Sequence, residues 1–333
     1  MDGLLREKYK NIVILLLDGM GLDALQYHLA ADGFFCRHLL SEYSSVFPST
    51  TTAATISIMS GLTPCEHGWL GWQLYFHELD KFVVPFRNID YYTEEEAAVF
   101  NVAARNLPYT SIFEKINNAG VGKAYFVSRF GTTPVGTFED LSEIVTRLCT
   151  EDGRKFIYAY WHQPDTMMHE NGCYDESVRN ELRQLENMVE KMSLSLPDSL
   201  LIVTADHGHK NLAYYTLTDY PDIIQMLKRP PAIESRAAAF YVRDESLEKF
   251  PLLFADTFGD DFLLFSQEDA KREKLFGDGV PHPRFDEFIG DYLAVSTSNM
   301  GIVYSDKVVK FHSSHAGMTS EEMVIPFIAI GNK

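Results

Sequence analysis

Cysteine is scarce in this sequence, which has four cysteines in 333 residues. They are widely separated along the chain, as Cys36, Cys65, Cys149 and Cys173. This pattern argues against a disulfide scaffold and against a zinc ribbon with closely spaced cysteine ligands. We therefore expect reduced thiols in the core or near the surface.

Positively charged residues are also few. The chain has 29 Lys and Arg against 47 Asp and Glu, a formal net charge of −18. Binding along a nucleic acid requires a positive surface that displaces counterions from the phosphates. We therefore expect no nucleic-acid polymer as a partner, and we expect any bound phosphate to be held by metal.

Long apolar runs are absent as well. No stretch of about 18 apolar residues is available to cross a membrane. Residues 1–8 are charged and lead directly into a predicted strand, without the apolar core and small-residue cleavage site of a signal peptide. These features predict a cytoplasmic protein without a membrane partner, and they leave the oligomeric state unknown.

Short apolar runs alternate with helical patterns over most of the chain. A hydrophobic content of 46% suits one large domain, or one that carries an inserted smaller domain. Continuous apolar runs of this length are typical of strands buried on both faces of a parallel sheet. The strands are predicted at residues 11–17, 123–128, 156–160, 200–205 and 323–330. The sequence thus predicts an α/β architecture.

The alternation breaks between residues 230 and 297. This segment combines short apolar runs with a polar, acidic stretch. We interpret it as an inserted cap subdomain of strands and a short helix. The remaining residues, 1–229 and 298–333, are predicted to form the core.

Six carboxylate and imidazole residues stand at strand ends or one helical turn apart. They are Asp18, Asp165, His169, Asp206, His207 and His315. Ligands collect at the carboxyl ends of strands in open α/β sheets, and a spacing of four residues places two side chains on one helical face. Three Asp and three His can form two three-ligand metal sites with an open position, as in catalytic zinc sites.

Hydroxyl residues precede a helical stretch that ends at Gly61. Ser49 to Thr52 are suitable as N-caps, and a hydroxyl there would lie beside the positive end of the helix dipole, where a phosphoryl group is favoured. Taken alone, the run is a capping cluster. Together with the six candidate ligands, this run provides a hydroxyl that is a candidate nucleophile.

These residues together resemble the alkaline phosphatase superfamily, and within it the nucleotide pyrophosphatase/phosphodiesterase branch. The resemblance spans residues 11–331 apart from the insert, and it rests on the order and context of the six ligands. It implies a three-layer α/β/α sandwich with a mostly parallel central sheet and a small inserted cap. It also implies a hydrolase that acts on a small-molecule phosphodiester or pyrophosphate through a phospho-threonine intermediate.

The resemblance also implies roles for individual residues. The spacing to Ser60-Gly61 in the family motif assigns the nucleophile to Thr51. One metal ion would be held by Asp18, Thr51, Asp206 and His207, and the other by Asp165, His169 and His315. Aspartate and histidine ligands suit two zinc ions best, with manganese and iron as alternatives. His209 and His162 adjoin ligands and either orient them or make ordinary polar contacts.

The sequence departs from the nucleotide-cleaving members at two positions. Those members carry an aromatic residue directly after the nucleophile, where this chain has Thr52. They also present an asparagine downstream of the nucleophile helix, and residues 68–72 contain none. A nucleotide preference is therefore not implied, and another donor must replace the asparagine.

Alternative functions remain open on the same residues. Phosphonate hydrolysis would use the same metals and threonine, and a phosphomonoesterase would favour an additional Arg or Lys that clamps the dianion. A sulfatase is disfavoured because no Cys/Ser-x-Pro-x-Arg segment occurs near Thr51. A non-catalytic metal-bound binding protein is the least favoured interpretation, because binding alone would not require Thr51.

Overall fold

The structure is a computed structural model that describes Gly3 and residues 7–333. The prediction for the charged N-terminal residues 1–8 lies mostly outside these described residues. The strands, in chain order, are β1 Asn11–Leu17, β2 Leu39–Ser44, β3 Leu74–Phe76, β4 Lys81–Val84, β5 Ile89–Asp90, β6 Lys123–Val127, β7 Lys155–Trp161, β8 Ser199–Thr204, β9 Lys210–Asn211, β10 Ala213–Thr216, β11 Ala232–Ile233, β12 Ala237–Phe240, β13 Phe262–Ser266, β14 Tyr292–Ser296, β15 Met300–Val303, β16 Ser313–Ser314 and β17 Val324–Asn332.

The helices described by the structure are mostly short. In chain order they are α1 Leu22–His28, α2 Phe34–Arg37, α3 Thr51–Ser60, α4 Pro64–His67, α5 Val102–Asn106, α6 Ile112–Ala119, α7 Phe138–Thr150, α8 Asp165–Asn171, α9 Glu176–Leu194, α10 Pro221–Gln225, α11 Phe250–Phe258, α12 Gln267–Arg272, α13 Phe285–Ile289 and α14 Ser320–Met323. Leu217–Asp219 and Asp244–Ser246 form 3₁₀ turns. None of the helices within the described residues is long and apolar enough to cross a membrane.

The chain divides into two compact units. Unit 1 comprises Met1–Ser45, Thr110–His209 and Val324–Lys333, and unit 2 comprises Val46–Tyr109 and Lys210–Met323. The predicted cap, residues 230–297, falls within unit 2. Its status as a separate subdomain stays a prediction.

Unit 1 is built on a six-stranded sheet. The strand order is β2-β17-β8-β1-β7-β6, and β17 alone runs against the other five strands. The five strands predicted from the sequence are all in this sheet, with ends within two residues of the predicted ones. The predicted mostly parallel α/β architecture is therefore confirmed.

Helices cover both faces of this sheet. Alternate residues of β1, such as Val13 and Leu15, belong to a buried core with apolar residues of α1, α2, α7 and α9. On the opposite face, Phe113 of α6 contacts Phe126 and Tyr158, with ring centroids 5.8 and 6.3 Å apart. The sheet therefore forms the middle layer of three.

Local signals fix the ends of several helices. Ser111 and Glu114 form a capping box at the start of α6, and Gly120 ends that helix with a φ of 65°. Helix α9 is amphipathic, and its buried residues Val178, Leu182, Leu185, Val189 and Met192 recur at helical spacing. Each of these signals depends on residues that are close in sequence.

Unit 2 contains smaller sheets. Strands β11, β12, β14 and β13 form an antiparallel sheet in that order, and β3, β4 and β5 form another. Helix α11 places Phe250, Phe254 and Phe258 in a buried cluster with Phe240 of β12. Helix α3 and the segment around β16 also belong to this unit, and they carry two of the candidate site residues.

Candidate metal centre

The first group of candidate ligands consists of Asp18, Asp206 and His207 in unit 1. Asp18 directly follows β1, while Asp206 and His207 follow β8, the parallel strand beside it. One ligand atom from each residue lies within 4.8 Å of the others. His207 Nε2 is 3.4 Å from Asp18 Oδ1 and 3.7 Å from Asp206 Oδ2. The parallel register thus brings these three side chains together at one edge of the sheet.

The two carboxylates of this group are almost completely buried. Asp18 is 2% exposed and Asp206 is 1% exposed. The backbone N–H of Gly19 donates to Asp206 Oδ1 over 3.1 Å, whereas Asp206 Oδ2 has no hydrogen-bond partner among the described residues. A buried carboxylate oxygen without a donor is unfavourable unless a cation satisfies it. The donor set of carboxylates and an imidazole fits a divalent transition metal.

Electrostatics supports the same conclusion. Burial raises the pKa of Asp18 well above its usual value, and the negative charges of Asp206 and Asp165 raise it further. The Tyr160 hydroxyl donates a hydrogen bond to Asp18 Oδ2, which acts in the opposite direction. Burial also raises the pKa of Tyr160, so this phenol remains a donor. A cation beside Asp18 would offset the repulsion between the carboxylates.

The second group lies around Asp165 at the start of α8. His169, one helical turn further, places Nε2 3.3 Å from Asp165 Oδ1, and His209 Nε2 lies 2.7 Å from the same oxygen. Ligand atoms of Asp165, His207 and His209 lie within 4.8 Å of one another. The Asp165 backbone N–H donates to the Asp18 carbonyl over 3.0 Å, so the two groups are adjacent in unit 1.

The protonation states in this group suit metal binding. Burial opposes ionisation of Asp165, but the contacts with His169 and His209 outweigh it and hold its pKa well below the usual value. Burial lowers the pKa of His209 to about 3, so its imidazole is neutral near pH 7. Metal binding requires ionised carboxylates and neutral imidazoles. Asp165 and His209 therefore take the forms that cation binding requires, and five of the predicted ligands lie in unit 1.

Thr51 lies at the first position of α3 in unit 2. Thr50 precedes the helix in an extended conformation, and Gly61 ends it with a φ of 73°. Within the described part of the chain, the Thr50 side chain does not cap the helix but donates to Glu234 Oε1 over 2.7 Å. The Thr50 hydroxyl is therefore directed to Glu234 and not to the first turn of α3.

His315 lies in unit 2, beside the segment that leads to Thr51. His315 Nδ1 is 3.1 Å from the Ser49 carbonyl oxygen, and the Ala316 N–H donates to the same oxygen over 2.9 Å. Because a carbonyl oxygen can only accept, His315 Nδ1 is the donor in this contact. The two predicted site residues of unit 2 are thus close to one another.

Three further residues belong to these groups. His209 was assigned no definite role from the sequence, although its place in Asp206-His-Gly-His209 is a signal. Tyr160 reaches Asp18 because Leu16 pairs with Tyr160 in the parallel register of β1 and β7. Glu234 gave no sequence signal, since its contact with Thr50 joins residues 184 positions apart.

The sequence is similar to one known protein family. The sequence matches the family of type I phosphodiesterases/nucleotide pyrophosphatases over residues 12–250. No curated protein matches the sequence significantly.

Solved structures with the same fold include two kinds of protein. One is murine ectonucleotide pyrophosphatase/phosphodiesterase 5, as an inactive threonine-to-alanine variant in complex with AMP: it has a TM-score of 0.72 and 17% identity, over 98% of this chain and 88% of that one. The human protein of that name has a TM-score of 0.72 and 16% identity, over 96% and 87%. The other is phosphonoacetate hydrolase from Sinorhizobium meliloti 1021 in complex with phosphonoacetate, with a TM-score of 0.70 and 17% identity, over 95% and 89%.

Proposed function

Because this chain belongs to the type I phosphodiesterase/nucleotide pyrophosphatase family, within the alkaline phosphatase superfamily, we propose that it is a metal-dependent hydrolase of small-molecule phosphodiesters or pyrophosphates. The observation that carries this proposal is the buried group of Asp18, Asp206 and His207, in which Asp206 Oδ2 has no hydrogen-bond partner among the described residues. Such a carboxylate-rich group favours a bound cation, which would offset the repulsion between its negative charges.

We assign two divalent cations to the seven residues predicted from the sequence. Asp18, Asp206, His207 and Thr51 would hold one ion, and Asp165, His169 and His315 the other. The contact of His209 with Asp165 supports a role for His209 in orienting that carboxylate, or as an additional ligand. Zinc suits these donors best, with manganese and iron as alternatives.

Bound divalent ions would supply positive charge that lowers the pKa of the Thr51 hydroxyl and stabilises the attacking and leaving oxygens. Thr51 Oγ1 attacks phosphorus in line with the leaving oxygen; the Oγ1–P bond forms and the bond to the leaving oxygen breaks. The hydroxyl proton passes to solvent, and the leaving oxygen takes up a proton in its place. Water then attacks phosphorus, the Oγ1–P bond breaks, and Thr51 regains a proton. Two divalent ions would balance three aspartates and a threonine alkoxide, so the site accepts an anionic phosphoryl group without large repulsion.

The charge next to Thr51 favours a monoanionic substrate. The half-buried carboxylate of Glu234 accepts hydrogen bonds from the Thr50 hydroxyl and from the Trp72 backbone N–H, over 2.7 and 2.8 Å. Together with burial, its negative charge raises the pKa of Tyr91 to about 12. A second negative charge on the phosphoryl group would be repelled by Glu234, so we infer that diesters are preferred to monoesters.

We infer that the leaving group is not a nucleoside whose base stacks on an aromatic side chain. Thr52 stands where the nucleotide-cleaving members have an aromatic residue, and its side chain is fully buried. Phosphonate hydrolysis is the second candidate, since a phosphonoacetate hydrolase shares the fold. Murine ectonucleotide pyrophosphatase/phosphodiesterase 5, which shares the fold, is inactive as a threonine-to-alanine variant. This supports the assignment of a threonine nucleophile to this chain.

One experiment distinguishes these functions. The zinc-loaded protein is assayed at one pH with a nitrophenyl phosphodiester, the matching monoester, a nucleotide and phosphonoacetate. We expect the diester to have the highest kcat/KM and the activity to disappear on chelation. A clear preference for the monoester or for phosphonoacetate would replace the diester assignment, and activity unchanged by chelation would overturn the metal-dependent function.

A further inference from the structure

A buried ion pair lies in unit 2 outside the predicted ligand set. Arg236 and Glu322 are both completely buried, and Arg236 Nε and Nη2 donate to the two oxygens of Glu322 over 2.5 and 2.7 Å. Arg236 also donates to the carbonyls of Met300 and Ser298, over 2.9 Å each. The guanidinium is thus fixed in one orientation by four hydrogen bonds.

Glu322 links the fixed guanidinium to the loop that follows His315. Its carboxylate accepts from the Gly317 N–H over 2.8 Å and from the Thr319 hydroxyl over 2.7 Å. The loop has little room to move toward the ion pair, because a Cβ on Gly317 would lie 2.7 Å from Glu322 Oε2 and 2.8 Å from Arg236 Nη2. The ion pair therefore defines where residues 317–319 lie.

The same loop is joined to the segment before Thr51. Ser49 Oγ donates to the Gly317 carbonyl over 3.0 Å, and the Ser49 carbonyl is bound by His315 Nδ1 and by the Ala316 N–H. Ala316 has a φ of 84°, a left-handed conformation that costs energy in a residue with a side chain. Such a conformation persists where the surrounding contacts over-determine it.

We propose that Arg236 and Glu322 are positioning residues that set both His315 and Thr51 for metal binding and catalysis. This inference rests on the proposed function. A buried ion pair is weak support for stability, because desolvation of two charges offsets their attraction. What this pair supplies is geometry, since its hydrogen bonds fix the loop of His315 and, through Ser49, the start of α3.

The first test replaces both charges at once, in the double variant Arg236→Met/Glu322→Leu. Replacing both partners leaves no unpaired buried charge, whereas removal of one partner does. The double variant also removes hydrogen bonds to Met300, Ser298, Gly317 and Thr319, so its melting temperature is measured beside its zinc affinity. We expect this variant to fold but to bind zinc more weakly and to lose kcat, each by roughly 10–100-fold, as is typical when residues that orient metal ligands are removed. Zinc affinity is measured by titration of the metal alone against a competing chelator.

The second test, Gly317→Ala, keeps both charges and pushes the loop away from them. The added methyl group meets the ion pair at 2.7 and 2.8 Å. The matched control is Gly136→Ala, whose added Cβ would have an ordinary contact, 3.5 Å from Asp140 Oδ2. We expect weaker zinc binding and lower kcat for Gly317→Ala, with the control like wild type. This variant also keeps the inference testable if the double variant fails to fold.

The outcomes separate the inference from the function on which it rests. If wild type binds zinc and cleaves diesters, but a folded variant at these positions keeps wild-type zinc affinity and kcat, the inference is overturned and the function stands. A lower melting temperature with unchanged zinc affinity would likewise show a purely structural role. If wild type neither binds zinc nor hydrolyses phosphoesters, the proposed function itself fails.

Discussion

Three threonines stand side by side at the start of α3, and their environments differ. Thr50 is 1% exposed and donates to Glu234, and Thr52 is 0% exposed, with no hydrogen-bond partner for Oγ1 among the described residues. Thr51 is half-buried. Thr51 is thus the most accessible of the three, in agreement with the family spacing that assigns the nucleophile to it.

We predict that Thr51→Ala lowers kcat by several orders of magnitude while the fold and zinc binding are largely retained. Loss of the nucleophile removes a group that acts as a unit with the metals. Steady-state kinetics and trapping of the phospho-enzyme check this. Phosphate found on another residue, or near-normal turnover, would contradict it.

Thr52→Val is the matched control for that variant. Valine has the shape of threonine and removes the buried hydroxyl that lacks a partner, so we expect stability to be unchanged or slightly higher, by less than about 1 kcal/mol. The same kinetic assay should give turnover close to wild type. A large loss of kcat would mean that Thr52 has a catalytic role.

Glu234→Gln should narrow the preference for diesters over monoesters. The glutamine side chain can still accept from Thr50 and Trp72, but it no longer repels a dianion. We expect the ratio of kcat/KM for the diester to that for the monoester to fall by roughly tenfold, which corresponds to about 1.4 kcal/mol. Glu248→Gln, at an exposed position of unit 2, serves as the charge-matched control. Equal ratios in the two variants would remove Glu234 from substrate selection.

Helix α3 is held by α4 through a buried histidine. His67 is 1% exposed; its Nε2 is 3.0 Å from Ser57 Oγ of α3, and its Nδ1 accepts from the Trp69 N–H over 3.0 Å. Burial lowers its pKa from 6.5 to about 3, and the nearby His282 adds to this effect. The folded protein therefore holds His67 neutral where the unfolded chain would protonate it.

The sign of the resulting pH dependence follows from proton counts. Between pH 6.5 and about 3 the unfolded chain binds a proton at His67 that the folded protein does not, so stability falls as the pH falls through this range. The contribution of this one group is at most about 1.4 kcal/mol per pH unit. We predict that urea unfolding between pH 7 and pH 5 shows a steeper loss of stability for wild type than for His67→Gln. Equal slopes would show that His67 titrates normally.

The elements of the sheet were predictable, whereas several contacts of the site were not. A buried parallel strand has a continuous apolar run, so β1 and β8 are visible in the sequence, and Asp18 and Asp206 could be placed at their ends. The contact of Tyr160 with Asp18 depends on the register of β1 against β7, which local sequence does not specify. The contact of Glu234 with Thr50, and that of Arg236 with Glu322, likewise join residues far apart in sequence.

At the scale of the whole molecule, the candidate site depends on global folding. Asp18, Asp165 and Asp206 come from three separated segments, and the fold of unit 1 brings them together. A ligand that binds only the folded state stabilises it in proportion to the logarithm of its concentration over Kd. Without a cation, the same buried carboxylates repel one another and oppose folding. Metal binding and stability are therefore linked in this chain.

This linkage predicts that zinc stabilises wild type much more than it stabilises Asp206→Asn. In the presence of a chelator, Asp206→Asn should melt at the same temperature as wild type or higher, because it removes one of two buried charges that raise the pKa of Asp18. With zinc at about 100 times its Kd, wild type should gain about 2.7 kcal/mol, a shift of several degrees, whereas the variant should gain little. The exposed Asp256→Asn controls for the loss of one charge and should follow wild type. Melting curves with and without zinc measure all three proteins, and a wild-type curve that does not move with zinc would show that Asp206 holds no metal.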